Sequence, residues 1–334
     1  MAANMIPPAA APDFLAENGW EGAEILPLAG DASFRRYFRV HRDGETAVLM
    51  DAPPAHEDVG PFLAIAGHLL ERGFSPPRPM AIDRDQGLLL LEDFGDERVA
   101  PMLERKPKRE REIYEMAIDI LVELAGHPAP EGLPPYGDGV MRWEVSLFPD
   151  WYAPALSIDC DAEAFYAAWE EAWAPVLEEI ERVPVLTLRD YHADNLMVLP
   201  DRRGLGLLDF QDARAGHPAY DLVSLLQDAR RDVAPELEEA MFERYVKGAG
   251  VEDEERFRAD YLVLGAQRNV KILGIFTRLW QRDGKPHYLH FQPRVWSYLE
   301  RDLAHPALAP VAAWFDQYVP DAKRAAAWPG GGRP

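Results

Sequence analysis

Residues 188–226 carry the pattern that decides the fold: LRDYHADNLMVLPDRRGLGLLDFQDARAGHPAYDLVSLL. Asp190 and Asn195 lie five residues apart in a polar stretch after the apolar run VPVLTL, which predicts a loop after a strand. Residues 205–210, LGLLDF, form an apolar run that reaches an acid near its end, and they predict a buried strand that presents Asp209. The order and spacing of these three polar side chains therefore predict a single site.

These residue types suit phosphoryl transfer. In kinase active sites an aspartate accepts the proton of the acceptor hydroxyl, and an asparagine five residues later joins a second acid in holding Mg²⁺ against the nucleotide phosphates. Hard cations prefer the oxygen ligands that carboxylates and amides supply. We therefore predict Asp190 as the base, Asn195 and Asp209 as metal ligands, and ATP with Mg²⁺ as cofactors. The structural alternative is an acidic turn around Asp190 and a helix cap at Asp209.

The order D-x-H-x-x-N, apolar strand, D-F and GHPAYDL resembles the catalytic core of the aminoglycoside-phosphotransferase and choline-kinase-like families. Residues 30–39, GDASFRRYFR, and residues 88–97, LLLLEDFGDE, narrow the resemblance to the anomeric N-acetylmuramate/N-acetylglucosamine kinases of bacterial cell-wall recycling. It covers about residues 15–320. The resemblance implies phosphorylation of the C1 hydroxyl of these amino sugars. It also implies that His192 supports the catalytic loop through Asp221, with a general-base role for His192 as the alternative.

Length and pattern predict an α+β, bilobal protein-kinase-like fold, with an N-lobe at residues 1–97 and a C-lobe at residues 98–334. The chain has 334 residues, 48% of them hydrophobic, and single cores stop growing near ~250–300 residues. Strand patterns in residues 22–54 with the turn HRDGE, then a helix closed by Gly73, predict an antiparallel sheet plus one helix in the N-lobe. Helical apolar spacing predicts a mostly α C-lobe, in residues 108–127, 160–183, 220–249, 252–283 and 289–303.

Charge and cysteine content limit the partners. The net charge of −22 opposes binding to nucleic acid and to anionic membrane surfaces, because both depend on clustered Lys and Arg. Cys160 is the only cysteine, which excludes an intrachain disulfide and a thiolate zinc cage and favours a reducing cytoplasm. The first residues lack a secretory pattern, and no run approaches the ~18 apolar residues of a membrane span. We expect a small-molecule amino sugar and a nucleotide as partners, and no obligate protein partner is evident.

Two segments of the N-lobe are candidates for nucleotide binding. The loop at residues 30–34 lies between the first two strands, where kinases place a Gly-rich cover over the phosphates, and Ser33 and Phe34 form its tip. A tight hairpin without a ligand is the alternative. By resemblance, the adenine bonds to the backbone carbonyl of Leu91 and the backbone amide of Asp93. The alternative is a buried strand followed by a turn, which the same residues would also form without a nucleotide site.

The third strand lacks the lysine that kinases use to contact the α and β phosphates, because the matching position is Met50. A thioether cannot replace that cation. Strand alternation places Arg35, Tyr37 and Arg39 on one face and Arg36 on the other. We therefore expect Arg35 to contact the phosphates with Tyr37 beside it. The alternative is a solvated arginine on a short edge hairpin.

Residues 141–154, MRWEVSLFPDWYAP, combine aromatic and polar side chains in the manner of a sugar pocket. Glu144, Phe148, Trp151 and, outside this segment, Arg214 are the candidates for acceptor binding. Core packing between helices is the alternative interpretation of the aromatic residues. N-acetylmuramate also carries a lactyl carboxylate, which calls for a cation. The sequence offers three candidates for it without ranking them: Arg142, Arg214 and Lys271.

Two other functions stay open from the sequence. An aminoglycoside, choline or another small alcohol could replace the amino sugar as acceptor, and an acidic C-lobe would suit a cationic one. A nucleotide-binding pseudokinase is the other, motivated by Met50 and opposed by the intact set of Asp190, Asn195 and Asp209.

Overall fold

The computed structural model describes residues 5–30, 34–199 and 204–324. The strands are β1 Glu24–Gly30, β2 Arg36–Arg42, β3 Glu45–Asp51, β4 Pro79–Asp83, β5 Leu88–Glu92, β6 Val185–Thr187, β7 Leu196–Val198, β8 Leu205–Leu207 and β9 Arg214–Gly216. The helices are α1 Ala11–Glu17, α2 Gly60–Glu71, α3 Val99–Arg105, α4 Glu110–Ala125, α5 Asp138–Leu147, α6 Ala153–Ala155, α7 Ala162–Arg182, α8 Ala219–Leu226, α9 Pro235–Ala249, α10 Glu254–Gln281, α11 Gln292–Leu303, α12 Ala309–Tyr318 and α13 Asp321–Arg324.

The chain divides into two compact units. Within the described residues, the first unit combines the chain up to Arg105 with the segment Asp194–Asp212. The second combines Lys106–Ala193 with the chain from Ala213 onward. In the structure, residues 194–212 group with the first unit, whereas the division predicted at residue 97 placed them in the C-lobe.

An antiparallel sheet of five strands, in the order β1-β2-β3-β5-β4, dominates the first unit. The turn between β2 and β3 has positive φ at both central residues, Asp43 at 51° and Gly44 at 85°, as a tight two-residue hairpin requires. This confirms the hairpin predicted at HRDGE. One face of the sheet packs on α1 through a buried core: Phe14, Leu15, Trp20, Phe38, Val40, Ala47, Leu49, Leu88 and Leu90.

The β7–β8 hairpin is built into the first unit by backbone contacts. Val198 donates to the Glu97 carbonyl at 2.8 Å, and Leu207 donates to the Ser75 carbonyl at 2.8 Å. Gly206 of β8 lies so close to the ring of Phe94 that an added Cβ would stand 2.7 Å from it. Glycine is therefore needed at this point of LGLLDF for the strand to pack.

The second unit is mostly helical, with α10 packed against α5, α8 and α11. Asp253 caps the first turn of α10 by accepting from the Arg256 amide at 2.9 Å, and Asp161 does the same for α7. Gly274 of α10 lies against the backbone of Leu147, since an added Cβ would stand 2.4 Å from it. No helix among the described residues has the length and apolar character needed to cross a membrane.

Four of the five predicted helical segments contain one helix each, and residues 220–249 contain two, α8 and α9, with an interruption at residues 227–234. Pro235 begins α9, and proline suits the first position of a helix because it has no N–H to donate into a preceding turn. α9 ends at Gly250 with φ of 65°. An antiparallel sheet beside a mostly helical remainder confirms the predicted α+β class.

Candidate active site

Asn195 and Asp209 lie at the same end of the β7–β8 hairpin. The register pairs Leu196 with Leu207, and the Leu208 amide donates to the Asn195 carbonyl at 2.9 Å. The end of β8 thus brings Asp209 close to Asn195, the residue just before β7. Two positions separated along the chain become neighbours because the strands are antiparallel.

The Asp209 carboxylate is held but remains partly accessible. Its backbone has a φ of 57°, which aspartate tolerates better than most residues. Gln211 Nε2 donates to Oδ1 at 2.8 Å, Arg35 Nη2 lies 3.8 Å from the same oxygen, and the side chain is 34% exposed. No cluster of three or more His, Cys, Asp and Glu suited to a metal occurs in the described residues. A carboxylate and an amide residue at one hairpin end fit Mg²⁺, which keeps few protein ligands, better than a zinc cage.

The structure separates the three arginines of the β2 segment by their partners. Arg36 Nε donates to Asp51 at 2.8 Å, and Arg39 donates to Asp96 at 2.8 Å and to Asp93 at 3.1 Å. Arg35 is 8% exposed and is the arginine that lies beside Asp209. The solvated alternative for Arg35 is therefore excluded by its burial.

The covering loop is described from Phe34 onward, and Ser33 lies outside the described residues. Phe34 is exposed, its ring stacks on His56 with centroids 4.4 Å apart, and its amide donates to Glu57 at 3.2 Å. Tyr37 pairs with Met50 across β2 and β3. Glu57 thus contacts the loop tip.

The segment after β5 is shaped by the side chain of Asp93. Its carboxylate accepts from the Gly95 amide at 2.9 Å, and Gly95 has a φ of 74°. Arg39 reaches the Gly95 carbonyl at 3.0 Å as well as Asp93. Leu91 is buried in β5 and pairs with Val48 of β3. The resemblance assigns adenine to the backbone of Leu91 and Asp93. This backbone lies at the end of β5, and the ion pair between Arg39 and Asp93 stabilises the turn that follows.

In the second unit, Asp221 holds the predicted catalytic loop by its backbone. The amides of Leu188 and Arg189 donate to its carboxylate at 2.6 and 2.8 Å. Burial raises the pKa of Asp221 to about 7, while these two amides act to lower it. Arg189 has a φ of 73°, so the chain turns sharply just before Asp190. Asp221 thereby stabilises a strained turn at the predicted base.

His192 is buried next to the same loop. Its amide donates to the Asp190 carbonyl at 3.1 Å, and its Nε2 lies 3.4 Å from Arg230 Nη1. Burial lowers the pKa of His192, although the charge of Asp228 acts to raise it. A neutral ring follows at neutral pH. The Asp221 carboxylate thus contacts the backbone amides of the loop, and the His192 amide contacts the Asp190 carbonyl.

Glu144 is the centre of a buried polar cluster that the sequence did not reveal. Its carboxylate accepts from Arg189 Nη2 at 2.5 Å, from Gln267 Nε2 at 3.0 Å, from Lys271 Nζ at 3.4 Å and from the Tyr136 hydroxyl. Burial acts to raise the pKa of Glu144, but Lys271 and Arg189 outweigh it and hold that pKa at about 2. Glu144 is therefore ionised. The partners lie 45 to 127 residues away from it, except Tyr136, so no local pattern could have shown them.

Phe148 lies in the core of the second unit. Its ring stacks on Tyr152 with centroids 4.6 Å apart and contacts four more aromatic rings: Phe165, Trp296, Trp314 and Phe315. The packing interpretation accounts for these contacts. Trp151 is half-buried, and Arg214 donates to the Pro135 carbonyl at 3.3 Å.

Phe148→Ala should lower the free energy of unfolding by about 3–5 kcal/mol, because a fully buried aromatic ring leaves a cavity. Urea denaturation followed by fluorescence measures this. Trp143→Ala, on the exposed face of α5, is the matched control, with an expected change within about 0.5 kcal/mol. A stable Phe148 variant that loses only affinity for its acceptor would instead support the sugar-binding role.

Comparison with known proteins identifies relatives along most of the chain. The family described as phosphotransferase enzyme family matches residues 24–259. The N-acetylmuramate/N-acetylglucosamine kinase of Caulobacter vibrioides is 40% identical, over 92% of this chain and 95% of that protein. The protein of the same name from Pseudomonas aeruginosa is 38% identical, over 89% of this chain and 90% of its own length.

Solved structures share the fold. A choline/ethanolamine kinase family protein from Mesorhizobium loti aligns with a TM-score of 0.59 and 16% identity, covering 91% of this chain and 96% of that one. An ADP-bound aminoglycoside phosphotransferase aligns with a TM-score of 0.56 and 13% identity, covering 88% and 97%. At such identities the likeness establishes the fold, and it confirms the predicted protein-kinase-like class.

Proposed function

This chain belongs to the phosphotransferase enzyme family, and on that premise we propose that it transfers the γ-phosphoryl group of ATP to the C1 hydroxyl of N-acetylmuramate or N-acetylglucosamine. The product is the sugar 1-phosphate, and its metabolic role is the recycling of peptidoglycan in the cytoplasm. The observation that carries the reaction type is the β7–β8 hairpin, which brings Asn195 and Asp209 together at one end. The names of the relatives support the amino sugar as acceptor.

Asp190 takes the proton of the acceptor hydroxyl as that oxygen forms its bond to phosphorus and ADP leaves. A hemiacetal hydroxyl is more acidic than an ordinary alcohol, so the base has a lighter task at C1. Asp221 and His192 keep the loop in place through the contacts described above. Asn195 and Asp209 would hold Mg²⁺, which when bound neutralises charge on the phosphates.

Arg35 would supply the cation that Met50 cannot. It is buried, it lies beside Asp209, and Arg36 and Arg39 are engaged with Asp51, Asp93 and Asp96. A polyphosphate approaching a chain with a net charge of −22 needs such a local positive charge. Burial in this position favours a guanidinium, which binds phosphate with two parallel N–H donors.

Arg35→Ala should raise the KM for ATP and lower kcat, with little change in the KM for the sugar. Loss of a charge-assisted contact costs about 1.5–3 kcal/mol, or about one to two decades in kcat/KM for ATP. Steady-state kinetics with ATP and sugar varied in turn measures both constants. Arg36→Ala is the matched control on the opposite strand face. If Arg36→Ala carried the loss and Arg35→Ala were silent, the assignment would be reversed.

A screen of ATP consumption tests the proposed function. The acceptors are N-acetylmuramate, N-acetylglucosamine, glucose, choline and an aminoglycoside, each with and without Mg²⁺. We expect Mg²⁺-dependent turnover with the two amino sugars, and ³¹P–¹³C NMR coupling should place the phosphate on C1. Preferred turnover of choline or the aminoglycoside, or phosphate on C6, would contradict the proposal. Nucleotide binding without turnover of any acceptor would favour a pseudokinase.

A further inference from the structure

Two cations share a single buried carboxylate beside the predicted base. Arg189 and Lys271 contact the same oxygen of Glu144, at 2.5 and 3.4 Å. Lys271 also donates to the Tyr220 hydroxyl at 2.7 Å. Tyr136 and Gln267 complete the contacts of Glu144 and carry no charge in this role. The cluster of Glu144, Arg189 and Lys271, called here the dicationic cluster, therefore brings two cations to one carboxylate oxygen.

The side chains of the dicationic cluster differ in their exposure to solvent. Glu144 is fully buried, whereas the side chains of Arg189 and Lys271 are 18% and 10% exposed. The carboxylate thus lies behind the two cations and positions them. Two cations positioned in this way can bind a carboxylate on their accessible side through charge-assisted hydrogen bonds.

The dicationic cluster lies next to the catalytic loop. Arg189 immediately precedes Asp190 in the chain. Burial acts to lower the pKa of Lys271, but Glu144, and to a smaller extent Asp190, raise it overall. Lys271 is therefore within electrostatic range of Asp190. A small sugar that presents one hydroxyl to Asp190 can present another of its substituents to both cations.

The other candidate cations are engaged elsewhere. Arg142 is exposed, pairs with Glu170 and lies over the ring of Tyr166 at 4.2 Å. Arg214 donates to the Pro135 carbonyl. The ion pair with Glu170 ranks Arg142 below Lys271, and the contacts of Glu144 add Arg189, which the sequence did not suggest.

We propose that Arg189 and Lys271, positioned by Glu144, bind the carboxylate of an acidic acceptor sugar. The inference rests on the proposed function and specifies it: N-acetylmuramate carries a lactyl ether with such a carboxylate, and N-acetylglucosamine does not. The dicationic cluster is then the determinant that favours the acidic sugar. N-acetylglucosamine still reaches Asp190, without this ion pair.

The decisive experiment compares three acceptors: N-acetylmuramate, its methyl ester and N-acetylglucosamine. For the wild-type protein, kcat/KM should be higher for the acid than for the ester, which has nearly the same shape and no charge. In Lys271→Gln, kcat/KM for N-acetylmuramate should fall about 10- to 100-fold, the usual effect of losing a charge-assisted contact. The ester and N-acetylglucosamine should change much less. Arg142→Gln is the matched control and should leave all three unchanged.

The outcomes are separable. Equal losses for all three acceptors in Lys271→Gln, or equal kcat/KM for acid and ester in the wild type, would overturn the carboxylate site and leave the kinase intact. The wild-type comparison needs no variant, so it decides the question even if Lys271→Gln does not fold. Absence of turnover with either amino sugar would overturn the proposed function and, with it, this inference.

Discussion

Asp190→Asn should lower kcat by about 10²- to 10⁴-fold, because a base acts mainly in the transition state. The affinity for ATP should remain nearly unchanged, since the amide keeps the shape of the side chain. Turnover measured with saturating ATP and sugar gives kcat, and titration calorimetry gives the affinity. The loop itself should persist, as Asp221 holds it through the amides of Leu188 and Arg189 rather than through Asp190.

Asp194→Asn is the matched control, because Asp194 lies four residues further along the same loop and has no proposed role. Its kcat should stay within a few-fold of the wild-type value, whereas the loss of a base lowers kcat by about 10²-fold or more. An Asp190→Asn enzyme that kept most of its kcat would remove Asp190 from the role of base.

Asp209→Ala should abolish the Mg²⁺-dependent part of ATP binding, because it deletes a charged ligand of a hard cation that keeps few protein contacts. Calorimetric titration of ATP with Mg²⁺ and with EDTA separates the two contributions. Binding with Mg²⁺ should fall to the level seen with EDTA, while Asp212→Ala, at an exposed aspartate three residues later, should behave like the wild type.

The backbone of Asp209 requires a second variant. Its φ of 57° strains most residues, alanine included, so a loss of binding in Asp209→Ala could come from local unfolding. Asp209→Asn keeps a side chain that tolerates this conformation and should show the same loss, with a Tm close to that of the wild type. Unchanged Mg²⁺-dependent affinity in Asp209→Asn would return Asp209 to a structural role.

Local pattern was sufficient where a feature depends on neighbours in the chain. The hairpin at Asp43 and Gly44, the helix that ends before Gly73 and the long helix α10 follow from turn chemistry and periodicity alone. Pro235 could have shown the interruption between α8 and α9, since proline favours the first turn of a helix. Asp190, Asn195 and Asp209 likewise lie in consecutive segments of the chain, so the sequence itself shows their order and spacing.

Partner choice between side chains required the tertiary structure. Strand alternation put Arg35 and Arg39 on one face, but only the fold assigns Arg39 to Asp93 and Asp96 and brings Arg35 to Asp209. The aromatic residues in 141–154 were compatible with both a sugar pocket and a helix core. The structure packs Phe148 against rings from distant helices, so core packing explains this residue.

The sequence by itself determined the reaction class, because the proposed base and the proposed metal ligands stand at a characteristic spacing on one loop and one strand. The tertiary structure alone decided the charge around Glu144, whose partners Arg189 and Lys271 are 45 and 127 residues distant. The physical reason is the distance along the chain over which each kind of interaction acts. Backbone periodicity and turns act over a few residues, whereas burial and ion pairing depend on distance in space, which the chain order does not encode locally.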